Sequence, residues 1–498
     1  MDYLDTKKEA QHRYILFTGY ILIAIGIVIA TLILVYQSYG FGVKRDGTVV
    51  QNGLVFFSSH PNPAAIYLNG KLNKDRTNTR IAIPAGIYQT SLAREGYHSW
   101  QRQIAVEGGS VYHYDYPFLI PQNLQPKRLV GYEGQPAAFS QSPDRRWVLL
   151  LRPGSETAFE LYDLKNPKKL VEAVTALTLP ASLLTKSNGP EALTVADWAD
   201  DNEHVLLQHT YDGTKSEYIL FDRTNPDKSI NLNATLATSP TKLTFRDRKF
   251  DKYYLYDAAS ATLRTASLDS PQPTTLLDHV LAYQTYGKDT VLYITDLRTP
   301  AGKVTARLLT GGDQTYSLKT FPAGTSYVVD LTKYSNDLYV VIGAASQNKV
   351  YIYKDPVGQL RSQPQQALVP SQVLHVTAPN FVDFSDSAQF IVVENSSQFG
   401  VYDIENKKGY NYTAVQPLDT GQTHATWMDG NRLSYISGGK LIIFDYDYTN
   451  QHSLIAAASP LLPAYASNYN YVYTIAPSAT SGQYELLQTP LLTPPDLP

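Results

Sequence analysis

Residues 142–164 read SPDRRWVLLLRPGSETAFELYDL: a Ser142-Pro143-Asp144 turn, an apolar run over Trp147–Leu151, a second turn at Pro153-Gly154, and another apolar run closing on Asp163. Short aromatic and branched runs bounded by Pro, Gly and Asp turns are strands. The phrase recurs along the chain. Trp198-Ala199-Asp200 leads into HVLLQ and YILFD, Phe245 and Phe250-Asp251 into KYYLYD and LRTASLD, and Tyr286-Gly287-Lys288-Asp289 into TVLYITD. Tyr334-Ser335-Asn336-Asp337 leads into LYVVIG and KVYIYKD, and Phe384-Ser385-Asp386 into FIVVEN and FGVYDI. Trp427-Met428-Asp429-Gly430 leads into RLSYIS and KLIIFDYD, and YNYVY (469–473) into TIA and YELLQ. Units of several strands spaced about 38–59 residues apart predict a β-propeller over 122–498, whose blades leave only short protected edges. Eight blades fit the repeat count best, with seven as the alternative. PKRLV (126–130) precedes the first unit and is placed to give the last blade its outer strand, closing the ring.

The Asp of each turn is expected to accept backbone N–H bonds and hold the turn, which accounts for these acids without catalysis. The units resemble the WD40-like repeats of periplasmic TolB-type propellers, whose S-P-D-G turn Ser142-Pro143-Asp144 approximates. Arg145 stands where that family has Gly, and only the Trp427 unit keeps Asp-Gly. The resemblance covers most of residues 126–492. It is carried by repetition rather than by any single motif, and it implies fold.

Ahead of the propeller, residues 54–121 break into shorter strands. LVFF is followed by SSHPNP, then AIYL and Asn69-Gly70, a strong hairpin signal. RIAI, IYQTSLA, WQRQIAV and VYHYDY follow, separated by Pro84-Ala85-Gly86, Glu95-Gly96 and Gly108-Gly109. A small antiparallel β-sandwich is the expected solution. The segment resembles the PEGA domain, an extracytoplasmic β-sandwich of prokaryotes, through Ser59-His60-Pro61, Ala64-Ala65, Asn69-Gly70, Pro84-Ala85-Gly86-Ile87-Tyr88, Glu95-Gly96-Tyr97 and Gly108-Gly109. Ala85 and Ile87 replace the family's acidic and final small residues. The shared residues are turn formers, so the resemblance implies fold and no chemistry.

Residues 14–36, YILFTGYILIAIGIVIATLILVY, form an uncharged apolar run. As a helix rising about 1.5 Å per residue it would reach about 34 Å, enough for a hydrocarbon core of about 30 Å. Tyr14 and Tyr36 stand at its ends, where amphipathic rings prefer the headgroups. Lys7, Lys8 and Arg13 lie close before it, and Lys44 and Arg45 follow only after an uncharged stretch. The expected topology is a cytoplasmic tail (1–13), one transmembrane helix (14–36), a stalk (37–53) and an extracytoplasmic remainder. A signal peptide cut near Ser38-Tyr39-Gly40 is the competing reading, but its apolar core is usually only about 7–15 residues.

The 498 residues contain no cysteine, which removes disulfides, Cys-zinc sites and thiol nucleophiles. A net charge of −3 offers no basic footprint for nucleic acid. The 38 tyrosines suit strands with one wet face, or a ligand-binding surface. No G-x-S-x-G elbow, HExxH, P-loop, GxGxxG or Asp-box series occurs. His98, His113 and His204 read as satisfied surface or turn residues. Asp445-Tyr446-Asp447-Tyr448-Thr449-Asn450 lacks the Gly and distal Glu of a calcium loop and reads as a solvated turn, as does Asp200-Asp201-Asn202-Glu203. Asn233, Asn395 and Asn411 stand in N-x-S/T triplets. Acid pairs assembled from separate blades leave no local trace.

The sequence therefore predicts a single-span membrane protein with an all-β exterior: a PEGA-like sandwich and a propeller. Its expected role is non-enzymatic, binding an envelope or extracellular protein or glycan, with no cofactor, metal or nucleic acid and the ligand-contacting residues unassigned. The alternatives are a propeller enzyme acting on carbohydrate or lactone-like substrates, and a TolB-like transport or secretion accessory.

Overall fold

The computed structural model describes residues 6–38, 40–43, 48–363, 366–419, 421, 424–479, 482–494 and 496. Lys44, Arg45 and the side chains of Lys7 and Lys8, used above for orientation, lie outside the described residues. The chain divides into two compact units, Met1–Asn123 and Leu124–Pro498.

The first unit begins with the helix Thr6–Ser38, which starts earlier than the apolar run because TKKEAQHR contains no helix breaker. Ala10–Tyr36 is long and apolar enough to cross a membrane. Its large apolar side chains are exposed, and two threonine hydroxyls are satisfied within the helix: Thr18 Oγ1 donates to Tyr14 O and Thr31 Oγ1 to Ile27 O, both at 2.8 Å.

Two four-stranded sheets follow. One is ordered Lys71–Arg76, Ala65–Leu68, Gly86–Ala93, Trp100–Val106. Trp100, Ile104 and Val106 alternate inward along the last strand, joining Val55, Phe57, Ile66 and Leu92 in a closed core. Asn69 and Gly70 (φ +50° and +75°) form the expected two-residue turn. The other sheet corrects two expectations. Its long strand, Val49–Phe57, pairs with Thr79–Pro84 and Phe41–Val43, so part of the anticipated stalk is sheet. It also pairs in parallel with Val111–Tyr114, so the sandwich is not wholly antiparallel.

The second unit is a β-propeller, and its described residues form eight four-stranded sheets. Most of the recurring phrases supply the first turn and the two middle strands of one sheet: Ser142-Pro143-Asp144, for example, joins Ala138–Gln141 to Trp147–Leu151 and Ala158–Asp163. The Tyr286 phrase misses its sheet's third strand, Lys303–Thr310, and Phe250-Asp251 lies within the strand Lys249–Asp257, after the turn Asp247-Arg248. Apolar seams run from sheet to sheet. They hold Phe159 and Trp198 between the first and second, Leu206 and Phe245 next, then Tyr254 and Val291, Leu308 and Val340, and Val341 and Ile391. Phe390 stacks on Tyr446 with centroids 4.0 Å apart between the sixth and seventh, and Thr474 Oγ1 donates to Ala456 O at 2.9 Å between the seventh and eighth.

The ring closes as the sequence predicts. Lys127–Tyr132 pairs with Tyr484–Pro490 as the outer strand of the last sheet. Tyr132 then packs with Val148, Leu150 and Tyr162 of the first sheet, and its hydroxyl meets Glu160 Oε2 at 2.8 Å and Tyr162 Oη at 2.9 Å. Many tyrosines are blade packing: Tyr162, Tyr253, Tyr254, Tyr353, Tyr435 and Tyr473 are among the largest fully buried side chains.

Candidate functional site

First strands lie against one another between the first, second and third sheets and between the fourth, fifth and sixth. Their lengths are unequal. Tyr327–Tyr334 runs eight residues and Val280–Tyr286 seven, but Ala138–Gln141 runs four and Thr426–Trp427 and Ala464–Tyr465 only two. Along these short strands a cavity of about 610 Å³ opens. Phe139, Ser140, Thr426, Trp427 and Tyr465 line it, and the first-to-second-strand turns add Arg145, Arg248 and Asp386. Its lining comes from the first, third, sixth, seventh and eighth sheets, so it is the mouth of the axial channel at the end where those turns gather.

Hydrogen bonds between turns brace this face. Asp144 N donates to Asn202 Oδ1 at 3.0 Å, Asp200 N to Arg248 O at 2.9 Å, Arg246 Nε to Lys288 O at 2.5 Å, and Ser387 Oγ to Gly430 O at 3.3 Å. Arg145 makes the longest reach. Its guanidinium donates to Met428 O at 2.8 Å, ion-pairs with Asp386 and sits 4.9 Å over the Tyr469 ring. Its backbone is left-handed at φ +59°, where a non-glycine residue costs roughly 1–2 kcal/mol. Glycine would suit the turn, and the arginine side chain spans the mouth.

Acids lie along the channel wall on other first strands. Asp330 is 8% exposed, and burial pushes its carboxyl up to about 7 even though the Leu331 N–H (2.9 Å) and the Gln284 amide favour its charge. Burial, and then the neighbouring Asp330, raise Asp383 to about 8. Asp197 is also raised by burial. Behind them Glu394 is fully buried and pushed well up; its Oε1 accepts from Ala425 N at 2.7 Å, and its Oε2 has no partner among the described residues. Neither Asp330 nor Asp383 lines the mouth cavity.

The turn acids divide into two kinds. Asp144 Oδ1 accepts from Arg146 N at 3.0 Å, Asp201 Oδ1 from Glu203 N at 2.9 Å, and Asp429 Oδ1 from Asn431 N at 2.7 Å, the turn-holding role expected. Asp386 and Asp200 instead pair with arginines from other sheets. His204 is satisfied by Asp201 Oδ2 at 2.6 Å, and His113 stacks on Phe56. Residues 445–450 do form a turn, but Asp445 is buried rather than solvated, accepting from Asn450 Nδ2 at 2.8 Å. Asn233 is committed to the backbone of Tyr218 and Ser216, and Asn395 to Thr377 O. His209, fully buried between Glu217 (2.8 Å) and Glu191 (3.3 Å), pins the connection from the first sheet to the second. Among the described residues no cluster of His, Asp and Glu is arranged to hold a metal ion.

Sequence reasoning flagged Arg145 only as a departure from glycine. The signal for Arg248 was similar, a bulky residue in the two-residue turn Asp247-Arg248. Asp330 and Asp383 were visible as single carboxylates inside the apolar strands YVVDLTKY and FVDF.

Comparison with known proteins bears on the first unit. Residues 52–120 match the PEGA domain. The match takes in the strands of the sandwich from Val49–Phe57 to Val111–Tyr114, apart from the first residues of the former. No curated protein matches the chain. Among solved structures, Hsv2 of Kluyveromyces lactis has a TM-score of 0.37 at 8% identity, over 71% of this chain and 98% of its own. An oligogalacturonate lyase in complex with manganese gives 0.38 at 9%, over 74% and 98%. The tricorn protease gives 0.38 at 11%, over 74% and 38%. Likenesses this loose carry no statement about chemistry or ligands.

Proposed function

We propose that this is a single-span membrane protein whose PEGA domain and eight-bladed propeller lie outside the cytoplasm, and that the propeller binds an envelope or extracellular protein or glycan without catalysis. The observation that carries this reading is the mouth cavity. At about 610 Å³ it falls within the range of small-ligand sites, and turns from separate sheets present it. Its charged lining is two arginines and one aspartate already paired to one of them, an arrangement suited to recognition. The test is retention. Full-length protein immobilised in micelles and exposed to solubilised envelope should hold one protein or glycan saturably, and should still hold it when the PEGA domain is blocked by antibody. Absence of saturable retention would remove the reading.

A second reading, an enzyme acting on carbohydrate or lactone-like substrates, is favoured by one observation. Asp330 and Asp383 are buried acids raised to about 7 and about 8, values suited to proton transfer near neutrality. Their place outside the mouth cavity ranks it second.

A further inference from the structure

Both guanidiniums at the channel mouth stand on backbone that side chains avoid. Arg145 has φ +59° and Arg248 φ +52°. The turn Asp247-Arg248, joining Lys242–Arg246 to Lys249–Asp257, is of the two-residue kind that favours Asn-Gly. Left-handed residues recur in the first-to-second-strand turns, as at Asn202, Asn336 and Ala388, so the conformation belongs to the turn and what is particular here is the guanidinium each of these two carries. The two arginines come from different sheets and line one cavity.

Their charges are incompletely used. Arg145 divides its donors between Met428 O and Asp386, whose side chain is 52% exposed and free to swing away. Arg248 contacts Asp200 Oδ1 through Nε at 2.9 Å, and its side chain is 54% exposed. The remaining acid near it, Asp197, is held toward its neutral form by burial. The two guanidiniums are thus each paired with a single exposed carboxylate, Asp386 on Arg145 and Asp200 on Arg248, that an incoming anion could displace. The rest of the lining mixes the hydroxyls of Ser140 and Thr426 and the half-buried ring of Trp427 with Gln141, Pro143, Met428 and Leu462, over the buried rings of Phe139 and Tyr465. Such a surface hydrogen-bonds the edges of a sugar ring and packs against its face.

We propose that the mouth is an anion site for an acidic glycan, whose carboxylate or phosphate binds Arg145 and Arg248 and takes the place of Asp386 on Arg145. This rests on the reading that the propeller mouth binds a ligand, and it names the ligand class. Planar guanidinium forks recognise both oxyanions bidentately, so the two sources share one chemistry.

The experiment is calorimetric titration of the full chain in uncharged, sugar-free micelles. The probes are a glucuronate oligomer, a mannose-phosphate oligomer, a neutral glucan oligomer and an oligoglutamate. At least one acidic glycan should bind, the neutral glucan should not, and affinity should fall with added salt. R145G and R248G should each weaken binding by on the order of tenfold. Glycine suits both left-handed turns, so folding should survive. D386N removes the carboxylate competing for Arg145 and should strengthen binding several-fold. Which acidic oligomer binds tells carboxylate from phosphate. Unchanged affinity in both glycine variants, equal binding of the neutral glucan, tighter binding of oligoglutamate, or no binding by either acidic glycan would overturn the inference. Envelope retention that survives the double variant R145G/R248G would leave the broader binding reading standing and remove this one alone. Loss of retention in the unmodified protein would remove both.

Discussion

Arg145 of the first sheet and Asp386 of the sixth form an ion pair across the mouth of the propeller channel. They are 241 residues apart in sequence, and the pair joins two non-adjacent sheets directly. Half-exposed pairs are worth only about 0–1 kcal/mol, so the pair contributes more to the shape and charge of the mouth than to stability.

The left-handed backbone at Arg145 sets a ranking of substitutions. R145G should melt close to the unmodified protein, because relief of the turn offsets the lost contacts. R145A loses the same contacts without that relief and should be less stable than R145G by about 1 kcal/mol. Thermal melts of the two variants check this; an alanine variant as stable as the glycine one would show that the turn imposes no such demand.

Asp330 makes stability depend on pH. Its folded value of about 7 lies above the unfolded value of about 4, so the native state holds a proton that the unfolded chain releases. The penalty is absent below about pH 4 and complete above about pH 7, so stability falls as pH rises through that window. D330N should raise the melting temperature at pH 8 by several degrees and change it little at pH 4. An equal gain at both values would place the effect elsewhere.

Ring closure predicts a sharp dependence on Tyr132. Y132F keeps the packing against Val148 and Leu150 and loses the bonds to Glu160 and Tyr162, for a cost of about 1–2 kcal/mol. Y132A should cost about 3–5 kcal/mol, because it also opens a cavity at the closing seam. Chemical denaturation curves separate the two. Similar small losses for both would mean that the strand Lys127–Tyr132 does not hold the ring shut.

The fold was legible wherever it is local. Each turn-and-strand phrase sits within one sheet, and PKRLV announced its closing role by standing alone before the first full unit. What escaped depended on distant partners. Phe41–Val43 looked like stalk because its strand character comes from pairing with Val49–Gln51, and the parallel contact of Val111–Tyr114 with Leu54–Phe57 leaves no periodic trace. The site was harder still. Arg145 was conspicuous as the wrong residue for its turn, but Asp386 and Arg248 become its neighbours only when the ring closes.

The N-terminal helix predicts the topology. Protease added to intact, wall-stripped cells should digest the propeller and PEGA domain and leave a short membrane-embedded stub that includes Ala10–Tyr36. A C-terminus protected until the membrane is breached would reverse the orientation.

The central claim is that the propeller binds rather than catalyses, and the buried acids give it its sharpest test. The full-length protein and the variants D330N and D383N should be assayed against a broad panel of glycans, esters and lactones near neutral pH. The binding account predicts no turnover above buffer for any of the three. Turnover by the unmodified protein that either substitution abolishes, with the fold intact, would contradict it and make the channel an active site.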